Sequence, residues 1–479
     1  MATFEKSTQV LVLGAGPGGY AAAFMAADLG MEVTVVNREP NPGGVCLYRG
    51  CIPSKALLHA AKVINEARDA EHYGVSFGPP KIDFDKLRSW KSSVVEKLTG
   101  GLGGMTRQRK ITYLQGEGRL RDPRSLEVSL SNGDTGVVKF EKAILATGSR
   151  PIMPPMFNIG SPRVWDSTGG LDMEELPRRL LVVGGGYIGL ELGSVYAALG
   201  SEVTVVEATS GLLPGADRDL VRVLQKSVEE KMSRVLLNTK VTSMKDVGGA
   251  VEVTLTPNEG EVFSEQFERV LVSIGRRPNT ENLGLEHTRI ELDGRGFIKT
   301  DAQGRTQEPS IFAIGDISGD PMLAHRATHQ GRLAAEAIHG SKALFEPQAI
   351  PAVVFTDPEL AWAGLTEQQC KDQNIRHEVA RFPWAASGRA LTLNQPGGLT
   401  KMIVDPEDGR LLGVGIVGSG AGELIAEATL ALEMGALAAD VGLTIHPHPT
   451  TSETIMEAAD VFFGHCTHLY KPKKEPAKG

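Results

Sequence analysis

A glycine triplet set between an apolar strand and a helix of small residues occurs twice in this chain, and it restricts the possible folds more than any other feature. Gln9-Val10-Leu11-Val12-Leu13 runs into Gly14-x-Gly16-x-x-Gly19, an Ala-rich helix ending near Leu29, and a second strand over 32–36. Leu180-Leu181-Val182-Val183 runs into Gly184-x-Gly186-x-x-Gly189, a helix to Leu199, and a strand over 202–207. In that context the first glycine permits a tight turn, the second lets backbone amides approach a pyrophosphate, and the third lets helix and strand pack closely. The helix N-terminus then meets the diphosphate with its partial positive charge. The sequence therefore predicts two Rossmann-like dinucleotide-binding units.

The two units differ at the end of the second strand. Glu207 lies 18 residues beyond Gly189, where a carboxylate accepts from a ribose hydroxyl and repels a 2′-phosphate. This second site is expected to prefer NAD over NADP, the alternative being a solvated glutamate at a strand end. The first unit carries Asn37 at the matching position, with Glu39 two residues on, and Asn37 retains the capacity to hydrogen-bond a ribose. Two sites of this kind imply an electron relay, with FAD expected in the first and NAD in the second. Ala143-Ile144-Leu145-Ala146-Thr147-Gly148 and Val270-Leu271-Val272-Ser273-Ile274-Gly275 are further apolar runs ending in glycine. Ser310-Ile311-Phe312-Ala313-Ile314-Gly315-Asp316 ends in a carboxylate expected to contact the flavin ribityl chain, a turn role being its alternative.

Composition narrows the class. Lys plus Arg is 50 and Asp plus Glu 58, a net charge of −8 that argues against a nucleic-acid binder. Residues 7–27 carry no charge, but the glycine turn at 14–19 would interrupt a spanning helix, so a soluble, cytoplasmic protein is expected. Four cysteines are too few for a disulfide scaffold. Two of them, Cys46 and Cys51, enclose Leu47-Tyr48-Arg49-Gly50, and a helix starts at Ile52-Pro53-Ser54-Lys55. Residues five apart on an ideal helix are roughly 8–9 Å apart at Cα, whereas a disulfide needs less than about 7 Å. The pair can bridge only where the backbone is loop-like or distorted, for which Gly50 and Pro53 are suited. A helix N-terminus and Arg49 would both favour thiolate. Free buried thiols or half of a metal site are the alternatives, and no other Cys or His pair has matching ligand spacing, so no metal is expected.

The run Gly43-Gly44-Val45-Cys46-Leu47-Tyr48-Arg49-Gly50-Cys51-Ile52-Pro53-Ser54-Lys55 resembles the active-site signature of the dihydrolipoamide dehydrogenases, within the flavin disulfide reductase (class I pyridine nucleotide-disulfide oxidoreductase) family. The similarity extends over nearly the whole chain, through Glu191, the Ser310 to Asp316 run, Met322-Leu323-Ala324-His325-Arg326-Ala327 and His446-Pro447-His448-Pro449-Thr450-Thr451-Ser452-Glu453. Tyr48, Arg49 and Asn37 depart from the family's common Asn, Val and Glu.

The resemblance implies an α/β fold of two Rossmann-like dinucleotide-binding domains plus a C-terminal α+β dimerisation domain. The expected divisions are 1–150 for FAD, 151–282 for NAD, 283–349 for a central segment completing the FAD domain, and 350–479 for the interface domain. It also implies a cycle. His448, oriented by Glu453, is the expected base, with His446 as a competitor for the role. A substrate dithiol attacks Cys46, and Cys51 lies nearer the flavin that relays electrons to NAD. Lys55 and Glu191 pair beside the flavin, and Tyr187 resembles a ring gating the nicotinamide pocket, its alternative being a packing aromatic. Thr147, Gly148, Gly118 and Ala324 would contact FAD, and Val241 and Gly275 would line the NAD site, each with core or turn as alternative. Cys370 and Cys466 have no partner in the pattern. The implied assembly is a homodimer serving a lipoyl-bearing acyltransferase or a glycine-cleavage carrier protein, and the Lys- and Pro-rich tail over 471–479 is expected to be disordered.

Overall fold

The computed structural model describes residues 3–470; the tail expectation lies outside them. Near-continuous Val, Ile and Leu runs make strands that are covered on both faces, as parallel sheets require. β1 (Thr3–Leu13) pairs in parallel with β2 (Val33–Asn37) on one side and with the strand Thr135–Leu145 on the other. Val10, Leu11 and Val12 are fully buried between them. The strand Ile311–Ala313 adds to the outer edge of Thr135–Leu145, so the chain returns to the first module after building the second. The helix Ala324–His339 then packs against α1 (Pro17–Asp28) so closely that a Cβ on Gly331 would fall 2.2 Å from the Gly18 carbonyl oxygen. Small residues at this crossing are a packing requirement.

The second module repeats the plan with a five-stranded parallel sheet centred on Arg179–Val183, flanked by Glu202–Val206 and Arg269–Val272. A three-stranded antiparallel sheet over Thr239–Asp246, Val251–Pro257 and Phe263–Phe267 caps one side. The last part of the chain is a five-stranded antiparallel sheet backed by the helices Ala421–Glu433 and Glu453–Phe463. These are the α/β modules that the glycine motifs predict and the α+β unit that the resemblance implies.

A buried charge cluster joins the second module to this last unit. Lys401, 1% exposed, reaches Asp217 at 3.0 Å, Asp219 at 3.1 Å and Glu367 at 2.7 Å. Burial raises the Glu367 carboxyl, but Lys371, Lys401 and Arg381 outweigh it and bring it down to about 2. A carboxyl depressed in the fold stabilises above its unfolded value and loses that contribution as pH falls towards 2. Removing Lys401 takes from Asp217 the buried cation that pairs it, while Arg381 and Lys371 still serve Asp219 and Glu367. Lys401→Met is expected to lower stability by about 3–5 kcal/mol, read as a fall in the urea midpoint; an unchanged midpoint would refute the role.

Candidate functional site

Glycine geometry builds both dinucleotide loops. Gly14 has φ +96°, and a Cβ there would lie 2.4 Å from the Ala146 carbonyl oxygen; a Cβ on Gly19 would lie 1.9 Å from the Gly14 oxygen. Gly184 and Gly189 repeat this against Ser273 and Gly184, at 2.7 and 2.4 Å. Gly16 and Gly186 begin their helices as N-caps with no side-chain cap, so the first-turn amides are left for another acceptor. A Cβ on Gly186 would meet nothing within 4 Å. Two cradles shaped by close backbone approach, with uncapped helix starts, fit two dinucleotide diphosphates.

The strand ends around the cradles are pinned. Asn37 Oδ1 accepts from Ala15 N at 3.1 Å, and its Nδ2 donates to the Tyr113 hydroxyl at 3.0 Å. Glu207 accepts from Gly185 N at 2.7 Å and from both the amide and hydroxyl of Thr209 at 2.8 Å. Thr147 donates its hydroxyl to the Asn279 carbonyl at 2.8 Å, and Asn279 N donates to the Gly148 oxygen at 2.9 Å. Asp316 accepts from the Ser149 hydroxyl, which Arg276 also engages. Gly118 is partly buried on its strand, where Leu126 and Leu13 leave no room for a Cβ. Val241 is buried in the second module's apolar core, and Gly275 adopts φ +133° at the end of its run. Ala324 opens the helix Ala324–His339.

The cysteines stand either side of a helix break. α2 (Gly44–Arg49) ends at Gly50, and α3 (Cys51–Asp69) begins there. A Cβ on Gly50 would lie 2.9 Å from the Val45 carbonyl oxygen, so this tight junction requires glycine. The break brings the two free thiols close enough to act on each other. The Cys46 thiol is held above the ordinary range by the neighbouring Cys51 and by burial. Cys51 is held below the ordinary thiol range by the neighbouring Cys46 thiol, against burial, with Lys55 adding to the lowering. Arg49 pairs with Glu39 instead, so the cation acting on Cys51 is Lys55.

Lys55 Nζ lies 2.7 Å from Glu191 Oε2 and 4.4 Å above the Phe355 ring, while Glu191 Oε1 accepts from Phe355 N at 3.0 Å. Phe355 was invisible to motif reading, because nothing local in sequence marks a residue that acts by long-range contact. Ser149, Arg276 and Tyr113 were missed for the same reason. Tyr187 begins its helix with the ring partly exposed; desolvation pushes its hydroxyl up to about 12, and it feels the charges of Arg276, Glu191, Cys51 and Asp316.

The second titratable pair lies in the last unit. His448 Nδ1 is 2.9 Å from Glu453 Oε1, and Glu453 Oε2 accepts from Thr450 N at 2.8 Å. Burial raises the Glu453 carboxyl, but the Thr450 amide and His448 outweigh it and hold it low. The His448 side chain is 73% exposed, whereas that of His446 is 4% exposed and engaged by Glu427 at 2.7 Å. Of the two histidines, only His448 presents an accessible ring. Cys370 is buried; Cys466 donates to Glu457 at 2.8 Å, and burial together with that carboxylate pushes its thiol up to about 12. Neither of these two cysteines carries thiolate at neutral pH.

Removal of the Lys55 charge is expected to move the Cys51 thiolate upward. In Lys55→Met the pH midpoint of iodoacetamide reaction at Cys51 should rise by roughly one unit, measured by mass spectrometry of the reduced protein. An unmoved midpoint would leave the cation without effect.

Residues 8–331 match the pyridine nucleotide-disulphide oxidoreductase family model, and 350–459 match the dimerisation domain of the same family. The chain is 48% identical over 474 residues to a dihydrolipoyl dehydrogenase of Vibrio cholerae, covering 99% of each. It is 49% identical over 471 residues to one of Haemophilus influenzae, covering 98% of each, and 46% identical over 467 residues to one of Geobacillus stearothermophilus, covering 97% and 98%. A solved Cu(II) complex of the HOCl-induced flavoprotein disulfide reductase RclA from Escherichia coli is similar at TM-score 0.85 and 28% identity, covering 95% of this chain and 99% of that one. With its paired glycine cradles and its polarised cysteine pair, the chain belongs to the pyridine nucleotide-disulphide oxidoreductase family.

Proposed function

We infer that this protein oxidises dihydrolipoamide to lipoamide and reduces NAD, as a homodimer. The observation that carries this is the pair of free cysteines set either side of the Gly50 helix break, the second of them four residues from the Lys55 ammonium that Glu191 holds and that favours the Cys51 thiolate. The near-full-length likeness to dihydrolipoyl dehydrogenases supports the choice of substrate. The two cofactors follow from the family: the residues around Gly14, Gly16 and Gly19, with Asn37, Thr147, Gly148 and Asp316, would hold FAD. Those around Gly184, Gly186 and Gly189, with Glu207, would hold NAD. FAD when bound supplies two-electron transfer between the sulfur pair and the nicotinamide.

The exchange step follows from the asymmetry. With the pair oxidised, a substrate thiolate attacks Cys46 Sγ, a substrate–Cys46 disulfide forms, and Cys51 leaves as thiolate. Exchange is faster when the leaving thiol has the lower pKa, and Lys55 provides that at Cys51. The second substrate thiol then attacks the first substrate sulfur, closes the ring and releases Cys46. The substrate has lost two electrons and the pair has gained them. His448 takes the thiol proton at its Nε2, while Glu453 at Nδ1 fixes the tautomer and supports the imidazolium. The match of residues 350–459, which include His448, to the family's dimerisation domain supports its acting on the cysteine pair of a partner subunit.

No helix among the described residues is long and apolar enough to cross a membrane, and we place the enzyme in the cytoplasm. A lipoyl-bearing acyltransferase or glycine-cleavage carrier is the partner that would present the dithiol. Tyr187 is read as a movable ring over the nicotinamide pocket.

Turnover is expected with dihydrolipoamide and NAD, and not with reduced glutathione or with NADP. Cys46→Ser should abolish dihydrolipoamide oxidation while NADH still bleaches the flavin. His448→Gln should lower kcat by roughly 10²–10⁴-fold, with Glu453→Gln losing less. Oxidation of dihydrolipoamide by Cys46→Ser, or equal use of NADP, would overturn the assignment.

A further inference from the structure

The first fingerprint ends on a neutral amide that is held in place by two neighbours, whereas the second ends on a carboxylate. Asn37 Oδ1 accepts from Ala15 N and its Nδ2 donates to the Tyr113 hydroxyl. The nearest carboxylate along the same turn is Glu39. Arg49 pairs with Glu39 through Oε1, leaving Oε2 to accept from elsewhere. The Tyr113 hydroxyl donates to the Glu39 carbonyl at 2.9 Å, so Asn37, Tyr113, Glu39 and Arg49 form one connected set from the glycine loop to α2. The Tyr48 hydroxyl donates to the Asn41 carbonyl at 3.2 Å and fixes the same turn a second time. The Glu39 side chain is 22% exposed and that of Arg49 39%, so the pair lies on a solvent-reachable rim. A Cβ on Gly44 would lie 2.5 Å from the Gly16 Cα, which sets the turn directly against the first cradle.

We propose that Glu39 is the acceptor for the ribose diol at the adenosine end of FAD, and that Arg49 is a positioning residue holding that carboxylate. The proposal rests on the reading of the first fingerprint as an FAD site. A carboxylate offers about four lone-pair sites, enough to keep Arg49 and still receive a hydroxyl. An unpaired glutamate on this turn would lose rotamer freedom on binding, and the arginine fork removes that loss beforehand. Because Arg49 lies between Cys46 and Cys51, the ribose acceptor and the redox helix are braced as one piece.

The test is the rate of FAD release from full-length holoenzyme, followed by flavin fluorescence after dilution. Glu39→Gln and Arg49→Val are each expected to release FAD roughly tenfold faster. Arg49→Lys should recover part of the loss, and the double variant should be no faster than Glu39→Gln alone. The pH midpoint of Cys51 alkylation should not move in Glu39→Gln, which separates ribose binding from a general loosening of α2. ADP should compete with FAD less well in Glu39→Gln than in wild type. Release from Glu39→Gln at the wild-type rate, additive effects in the double variant, or a moved alkylation midpoint would each overturn the proposal. Wild-type protein that takes up no FAD would instead overturn the reading of the first fingerprint.

Discussion

One carboxylate, that of Glu191, ties the three parts of the molecule together where the chemistry occurs. It belongs to the helix of the second glycine loop, yet it receives the Lys55 ammonium from α3 at 2.7 Å and the Phe355 amide, which leads into the last unit, at 3.0 Å. Glu191 is 3% exposed, so losing either donor would leave a buried charge short of partners, a cost of several kcal/mol. The modules are therefore held in register by the same group that keeps Lys55 beside Cys51. Placement of the domains and polarisation of the thiols are one constraint.

That constraint also explains why Lys55 is effective. A lysine free to swing in solvent would be screened and would stabilise an adjacent thiolate weakly. Here its head is fixed by Glu191 on one side and by the Phe355 ring on the other. At Cys51 the neighbouring Cys46 thiol and the Lys55 ammonium favour the thiolate and outweigh burial and the Glu191 charge, which oppose it.

What could be read from the sequence was local. The glycine loops and their flanking strands follow from backbone sterics within a few residues and appear where the motifs place them, while the distortion expected between the cysteines proves to be a break at Gly50 between two helices. The pairing of Lys55 with Glu191 and of His448 with Glu453 came from resemblance, not from periodicity, and both pairs are close in the fold. Phe355, Tyr113 and the Asp217–Lys401–Glu367 cluster were not legible, because their partners lie tens to hundreds of residues away and no spacing rule connects them. Arg49 was legible as a cation near the cysteines, but its engagement with Glu39 depends on how the turn after β2 folds back.

The two fingerprints show how one backbone plan carries different polar chemistry. Their glycines meet equivalent atoms, Gly14 the Ala146 carbonyl and Gly184 the Ser273 carbonyl, so the cradles share a shape. At the strand end they diverge. Glu207 folds its carboxylate onto Gly185 N and Thr209, carrying negative charge into the loop. Asn37 uses a neutral amide to hold Ala15 and Tyr113, and the negative charge is displaced two residues onward to Glu39, where Arg49 compensates it. The second loop thus keeps its carboxylate within its own turn, while the first is fixed by a hydrogen-bonded chain that ends on the helix between the cysteines. One backbone shape is in this way tied down by an ionised group in one module and by a neutral amide in the other.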